Sequence, residues 1–501
     1  MGNKKNYYFL IFLLAAPVII YFYYLKWKTN TIYGDDLYIF MNHSGPISIG
    51  EKINLDILSG KYRPIHGVTL HWIIELFGKN LQAYYCFNVA IQAINTFIFA
   101  IILDLLLNVP IVSCLLSLVW GLSRFSYYVI SQLFNGGCLE GMAMTFFLLF
   151  LYCLVKVFVN AESAKNNKHL LWSIIWANLC LYTHERYVIL LPFIILVLFF
   201  FPALKEMSFK KRSALSSIAL GSLALNVLMK KCFYSIPFFL GTSNATITFS
   251  YSSAMAFFRD AILSIVQINS GPEYTAGFRF QSLPKQDKEF VLVLVFSVLI
   301  TICLYVVQVV KYSKTKSKHT FFPEFILLAV LFILLIVPGT VTIRFEQRWL
   351  QAPFCVFILM LVIALQQLQM KKTLQLIAYT AFSTLFIWSN YRYFSLGVNN
   401  YFMNQAENMV YKFKEAAVNG VIRPATSKLY ILDYKDVNGK DALTWYLAQG
   451  YFFNFYQGKS KQIAFIDSSD LKQTPLISFN TDSTQVVTVT DKITDITTQI
   501  K

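Results

Sequence analysis

The stretch Tyr33-Gly34-Asp35-Asp36-Leu37-Tyr38-Ile39-Phe40-Met41-Asn42 decides how the rest of the chain is read. It sets two adjacent carboxylates just after the first hydrophobic run of a chain that is otherwise largely apolar. Carrying an ionised aspartate to the centre of a bilayer costs roughly 2.5 to 3.5 kcal/mol on insertion scales, and a second carboxylate beside it repels the first. The pair therefore stands either in water at a membrane surface or in a site built to hold it.

The membrane enters through the totals. Of 501 residues, 56% are hydrophobic and 14% charged, with a mean hydropathy of +0.53, which is too apolar for a soluble globule of this length. The formal net charge of +17 comes from Lys and Arg in short clusters between apolar runs. Clusters so placed are topology determinants, so nucleic acid is not implied as a partner. The eight cysteines show neither CxxC nor Cys/His ligand spacing, which argues against a disulfide framework or a zinc site. His184-Glu185 lacks the second histidine four residues on that a zinc protease needs.

At about 20 apolar residues per span, the expectation is an all-α polytopic protein with about 11 transmembrane helices. They are Asn6–Leu25, Tyr84–Leu107, Ile111–Ile130, Leu139–Val159, Leu170–Thr183, Tyr187–Leu204, Ala214–Met229, Phe290–Val310, Phe321–Pro338, Leu350–Gln369 and Thr373–Tyr393. The first lacks an A-x-A cleavage pattern before Lys26 and is read as an uncleaved span. With the N-terminus cytoplasmic, nearly every basic cluster falls inside, from Lys4/Lys5 to Lys371/Lys372, and the C-terminus falls outside. The same assignment puts Asp35-Asp36, the His184-Glu185-Arg186 break and the Arg344/Arg348 cluster on one outer face.

The expected organisation is a membrane module over residues 1–395 and a small extracytoplasmic α/β appendage over 396–501. The first outer loop, 26–82, carries the acidic pair and an amphipathic helix over Pro64–Phe77, in which Ile65, Val68, Leu70, Ile73, Ile74 and Leu76 alternate with His66, His71 and Glu75. A second large outer loop, 230–288, is rich in aromatics and reads as a segment that dips into or caps a cavity. In the appendage, strands are expected at Leu429–Asp433 and Gln462–Ile466, a helix near Asp441–Tyr456 and a β-rich end at Thr484–Thr490.

Asp35-Asp36 with Ile39 and Asn42, then Tyr62-Arg63-Pro64, Leu76-Phe77-Gly78 and Tyr85-x-x-Asn88 resemble the opening of membrane glycosyltransferases of the GT-C fold. Within that fold the chain is most similar to the branch that includes protein O-mannosyltransferases with tetratricopeptide repeats and related bacterial enzymes. Thr183-His184-Glu185-Arg186-Tyr187 with Pro192 resembles that branch's Lys-Glu segment, and Gln347-Arg348-Trp349-Leu350-x-x-Pro353 its Arg-Tyr-x-x-x-Pro segment. The likeness is best over Tyr33–Ile102. His184 and Trp349 replace the usual Lys and Tyr, and no repeats follow the last span, so the branch's protein acceptor does not carry over.

The resemblance implies inverting transfer of a monosaccharide from a polyprenyl-phosphate donor, at the outer face of a bacterial cytoplasmic membrane, to a glycolipid, an envelope polysaccharide or a protein. Asp35 would be the general base, since a positioned carboxylate that takes a hydroxyl proton is worth on the order of 10² to 10⁴ in rate. Asp36 would orient the acceptor, couple to Asp35 or help hold a divalent cation. The leaving group is a phosphate, and Arg63, Arg186, Arg344 and Arg348, with His184 as an auxiliary donor, are the candidates to bind it through planar, permanently charged forks. Tyr62, Asn42, Asn88 and Glu185 would support them. No other cofactor is implied. The rival classes are a lipid or polysaccharide transporter or flippase, which calls for internal repeats and charges at mid-membrane depth, and a non-catalytic subunit of an envelope glycan assembly.

Overall fold

The structure is a computed structural model that describes residues 2–27, 31–44, 48, 50–51, 61–159, 166–204, 206–233, 235, 250–268, 280–315, 322–340, 347–368, 370–397, 402–435, 439–469 and 483–499. Contacts divide the chain into two compact units. One comprises Met1–Trp27, Ile49–Leu70 and Cys86–Val398; the other comprises Lys28–Ser48, His71–Tyr85 and Asn399–Lys501.

The first unit is helical. Among the described residues, six helices are long and apolar enough to cross a membrane, and seven if the bent pair Pro110–Gly121 and Arg124–Ser131 is one span. Other expected spans coincide with shorter or less apolar helices, such as Leu190–Phe200 and Asn166–Thr183. The helix at the centre is Gln347–Gln367, with 89% of its apolar window buried, against 22% for Phe209–Cys232 and 28% for Lys285–Val310. Its sequence explains the placement: Phe354, Cys355, Val356, Phe357, Ile358 and Leu359 are apolar on every side, so no face is suited to water.

Polar side chains satisfy backbone where helices break inside this core. At the 59° bend after Gly121, the freed Gly121 carbonyl accepts from Tyr23 Oη at 3.1 Å and Gln92 Nε2 at 3.2 Å. Gln351 Nε2 donates to Gln92 Oε1 at 3.3 Å, and Trp120 Nε1 donates to the Gln351 carbonyl at 2.9 Å. An unmet buried polar group costs about 1 to 3 kcal/mol, so this seam fixes the register of four helices. Arg392 donates to both oxygens of Asp287 at 2.9 and 2.8 Å, joining the ends of Lys372–Gly397 and Lys285–Thr315.

In the second unit a four-stranded sheet has the order β2-β1-β3-β4, with β1 Lys428–Leu432, β2 Gln462–Ile466, β3 Thr484–Val489 and β4 Ile493–Asp495. β1 is parallel to β2 and β3, and β3 is antiparallel to β4. The expected strands lie within a residue of these bounds. The expected helix near Asp441–Tyr456 is two helices, Gly439–Tyr446 and Tyr451–Gln457, because Gln449 and Gly450 take positive φ of 55° and 98° between them. Helix Phe402–Val418 buries Ala406, Val410, Phe413 and Ala417, a stripe at helical spacing. Lys461 is buried with its ammonium donating to the carbonyls of Arg423, Pro424 and Thr426 at 2.8, 3.2 and 2.7 Å. Burial, and then Lys459, push it down to about 8.

Helix Pro64–Phe77 is present as expected, with His66, Leu70, Ile73 and Ile74 buried and Trp72, Glu75 and Leu76 exposed. Of the expected capping segment 230–288, helix Tyr251–Ile265 is described, while 236–249 and 269–279 lie outside the described residues.

Candidate active site

In the first unit the charged side chains gather where helices start or break. Arg63, the residue before helix Pro64–Phe77, faces Glu185 with both ends of its fork: Nε donates to Oε2, and Nη2 to Oε1 at 2.6 Å. A second group of side chains converges on a single oxygen of Glu140. Its Oε1 lies 3.2 Å from Arg186 Nη2, 3.4 Å from His184 Nε2 and 3.5 Å from Arg348 Nε. Arg186 Nη2 is 3.0 Å from His184 Nε2, and its guanidinium lies 5.2 Å from the centre of the Trp349 ring.

Local sequence explains these positions. His184 ends helix Asn166–Thr183 in extended conformation, and its Nδ1 accepts from the Arg186 amide, capping the 3-10 turn Glu185–Ile189 that opens the next helix. Arg348 sits at the same place in the 3-10 turn Gln347–Leu350 that opens the central helix. Both arginines thus stand at helix N-termini, where the backbone already carries partial positive charge and favours an anion. Glu140 is held by a π-helical turn, Asn135–Gly141, rich in glycine. A Cβ at Gly136 would lie 2.1 Å from the Val129 carbonyl oxygen, and one at Gly137 would lie 1.9 Å from Asn88 Oδ1. Asn88 is buried and donates to the carbonyls of Gln132 and Leu133 at 2.7 and 3.3 Å. Asn88 thereby shapes the turn that presents Glu140.

The electrostatics follow from burial. Burial first, and then the Arg186 guanidinium, push the His184 imidazole down to about 4 against the opposing pull of Glu140, so the ring is neutral near pH 7. Burial opposes ionisation of Glu185, but Arg63 and then His184 outweigh it and hold the carboxyl well below the usual carboxylate range. Lys61 and Lys230 lie close enough to act on the Glu185 charge as well. The cluster sets three arginines and two lysines around two carboxylates, a surplus of positive charge in a mostly buried place. Beside Arg348, Gln347 Nε2 and Oε1 and Trp349 Nε1 are buried with no hydrogen-bond partner among the described residues, capacity that a bound polar group would satisfy.

In the second unit Asp35 and Asp36 occupy the first turn of helix Gly34–His43, where the helix dipole favours carboxylates. Asp36 is buried and Asp35 exposed. Asp35 Oδ1 accepts from Trp445 Nε1 at 3.1 Å. Burial, followed by Tyr451 and Asp35, pushes the Tyr38 phenol up. Asn42 is exposed at the other end of the helix.

Of the residues singled out from sequence, Arg63, His184, Glu185, Arg186 and Arg348 come together in the first unit. Tyr62 packs edge-on against Tyr182 at 6.0 Å. Arg344 lies outside the described residues. Glu140 was not singled out, although a lone carboxylate in a glycine-rich start to an apolar span is a visible signal. Among the described residues, no group of three or more His, Cys, Asp or Glu is placed to hold a metal ion.

No family model matches the chain, and no curated protein matches it. Among solved structures the chain is similar to ArnT from Cupriavidus metallidurans bound to undecaprenyl phosphate, with 10% sequence identity and a TM-score of 0.47, over 96% of this chain and 93% of that one.

Proposed function

We propose that this protein is a membrane glycosyltransferase that moves a monosaccharide from a polyprenyl-phosphate donor to a hydroxyl acceptor on the extracytoplasmic side. The observation that carries the reading is the cluster in which Arg186 and Arg348 share one oxygen of Glu140 beside a neutral His184. Two guanidinium groups on one carboxylate retain attraction for a further anion, and they stay charged at every physiological pH. A structural ion pair has no need of the second arginine.

Arg63 has a different part. Its fork is engaged by both oxygens of Glu185, so it orders the 184–186 break, while Arg186 and Arg348 meet the donor phosphate. As the bond from the anomeric carbon to the phosphate oxygen breaks, its electron pair leaves on the phosphate, and these arginines stabilise the growing charge. The acceptor oxygen bonds to the same carbon and gives its proton to a general base, the role that the resemblance of Asp35-Asp36 to the GT-C opening implies for Asp35. Asp36 orients the acceptor. Inversion at carbon follows from a single displacement. The outward orientation rests on the distribution of basic clusters, and the lipid donor on the resemblance of Asp35-Asp36, Arg63-Pro64 and Asn88 to the GT-C opening. The acceptor class stays at the level of glycolipid, envelope polysaccharide or protein.

The test is mass spectrometry of lipid-linked and envelope glycans in cells with and without the protein. Loss of the protein should remove one sugar from an envelope glycan while its lipid-phosphate-linked form accumulates. Identical profiles would refute the reading.

A further inference from the structure

We propose that Trp445 is a positioning residue for Asp35, with its indole N–H holding one carboxylate oxygen so that the other faces the acceptor hydroxyl. This rests on the assignment of Asp35 as base made above, and it gives the C-terminal region a part in the reaction.

Trp445 and Asp35 are 410 residues apart in sequence, and Trp445 Nε1 donates to Asp35 Oδ1 at 3.1 Å. The contact is built from both sides. Gly34, with φ of +54°, leaves open the space the indole fills: a Cβ there would lie 2.5 Å from Trp445 Cζ2. On the other side, helix Gly439–Tyr446 is anchored by buried Leu443 and Tyr446, which sets the direction of the indole. Tyr38, one turn after Asp35, meets Tyr451 of the following helix, Tyr451–Gln457, edge-on at 5.9 Å, so an aromatic contact holds helix Gly34–His43 to the C-terminal region as well.

A carboxylate on an exposed helix turn rotates among several rotamers. A donor on Oδ1 selects one and leaves Oδ2 to take the proton. Tryptophan suits this task because the indole is a donor only and cannot compete with Asp35 for the acceptor proton.

The experiment uses the full-length protein in nanodiscs and measures kcat and KM with a polyprenyl-phosphate sugar donor. W445F keeps the aromatic bulk and removes the N–H. Its kcat should fall about 5- to 10-fold with the KM for the donor unchanged. W445H, which restores an N–H donor, should recover part of the lost kcat. An unchanged kcat in W445F, alongside an inactive D35N, would overturn the role of Trp445 and leave the base in place. An active D35N would instead overturn the base, and this proposal with it. Should W445F fail to accumulate, the chain labelled with ¹⁵N-tryptophan supplies the readout. One of its eight indole N–H resonances should shift between wild type and D35N, and eight unmoved resonances would overturn the proposal.

Discussion

Replacing Glu140 by glutamine tests the centre of the cationic cluster. The substitution keeps the volume and one carbonyl oxygen but removes the charge on which Arg186, His184 and Arg348 converge at 3.2, 3.4 and 3.5 Å. The Glu140 side chain is 4% exposed and the two arginines 13% and 14%, so water screens little of the loss. Removing one partner of a buried ion pair costs about 3 to 5 kcal/mol, chiefly because the remaining charge is left buried without a counter-charge. The slight exposure of the arginines places the expected value near the lower bound, about 3 kcal/mol, or roughly a 150-fold change in the folding equilibrium. Thermal unfolding of the purified protein, followed by tryptophan fluorescence, should therefore show a lower midpoint for E140Q. A ligand at 100 times its dissociation constant stabilises by about 2.7 kcal/mol, so a polyprenyl phosphate should recover most of the deficit and should raise the E140Q midpoint more than that of wild type. The reasoning is refuted if E140Q unfolds with wild type, or if lipid phosphate stabilises both equally.

Further outcomes follow from the same geometry. D35N should lower transfer about 100-fold or more with membrane insertion intact, read as turnover on purified protein. R186Q and R348Q should each weaken use of the lipid donor, seen as a higher KM for it or a lower kcat, whereas R63Q should cost mainly thermal stability; equal kinetic effects in all three would erase the distinction drawn between them. His184 binds its proton at about 4 when folded against an ordinary 6.5, so the unfolded chain protonates first as pH falls. Its contribution to stability is complete above about 6.5, declines between about 6.5 and 4, and is level below that; H184Q should flatten this part of the midpoint-against-pH curve. G136A should abolish accumulation of folded protein, because its Cβ would meet the Val129 carbonyl oxygen at 2.1 Å and backbone cannot yield; normal yield would show that the glycine-rich turn relaxes freely.

Much of the architecture is legible along the chain because hydropathy and strand alternation are local properties. The apolar runs mark the long helices, Gln462–Ile466 reads as a strand and is one, and the polar break at His184-Glu185-Arg186 announces a helix junction bearing charge. Five of the candidate residues meet in one cluster, since cations at helix junctions are rare enough in an apolar chain to stand out. What sequence alone left undecided is pairing. Which carboxylate balances Arg186 and Arg348, that Arg63 is spoken for by Glu185, and that Asn88 holds the turn beneath Glu140 all depend on the register of helices packed side by side, which no pattern within a single helix encodes. The meeting of Asp35 with Trp445 is of the same kind: hydrogen bonds reach about 3 Å in space whatever the distance along the chain, so only the folded arrangement could bring an indole from the C-terminal region to a carboxylate near the beginning.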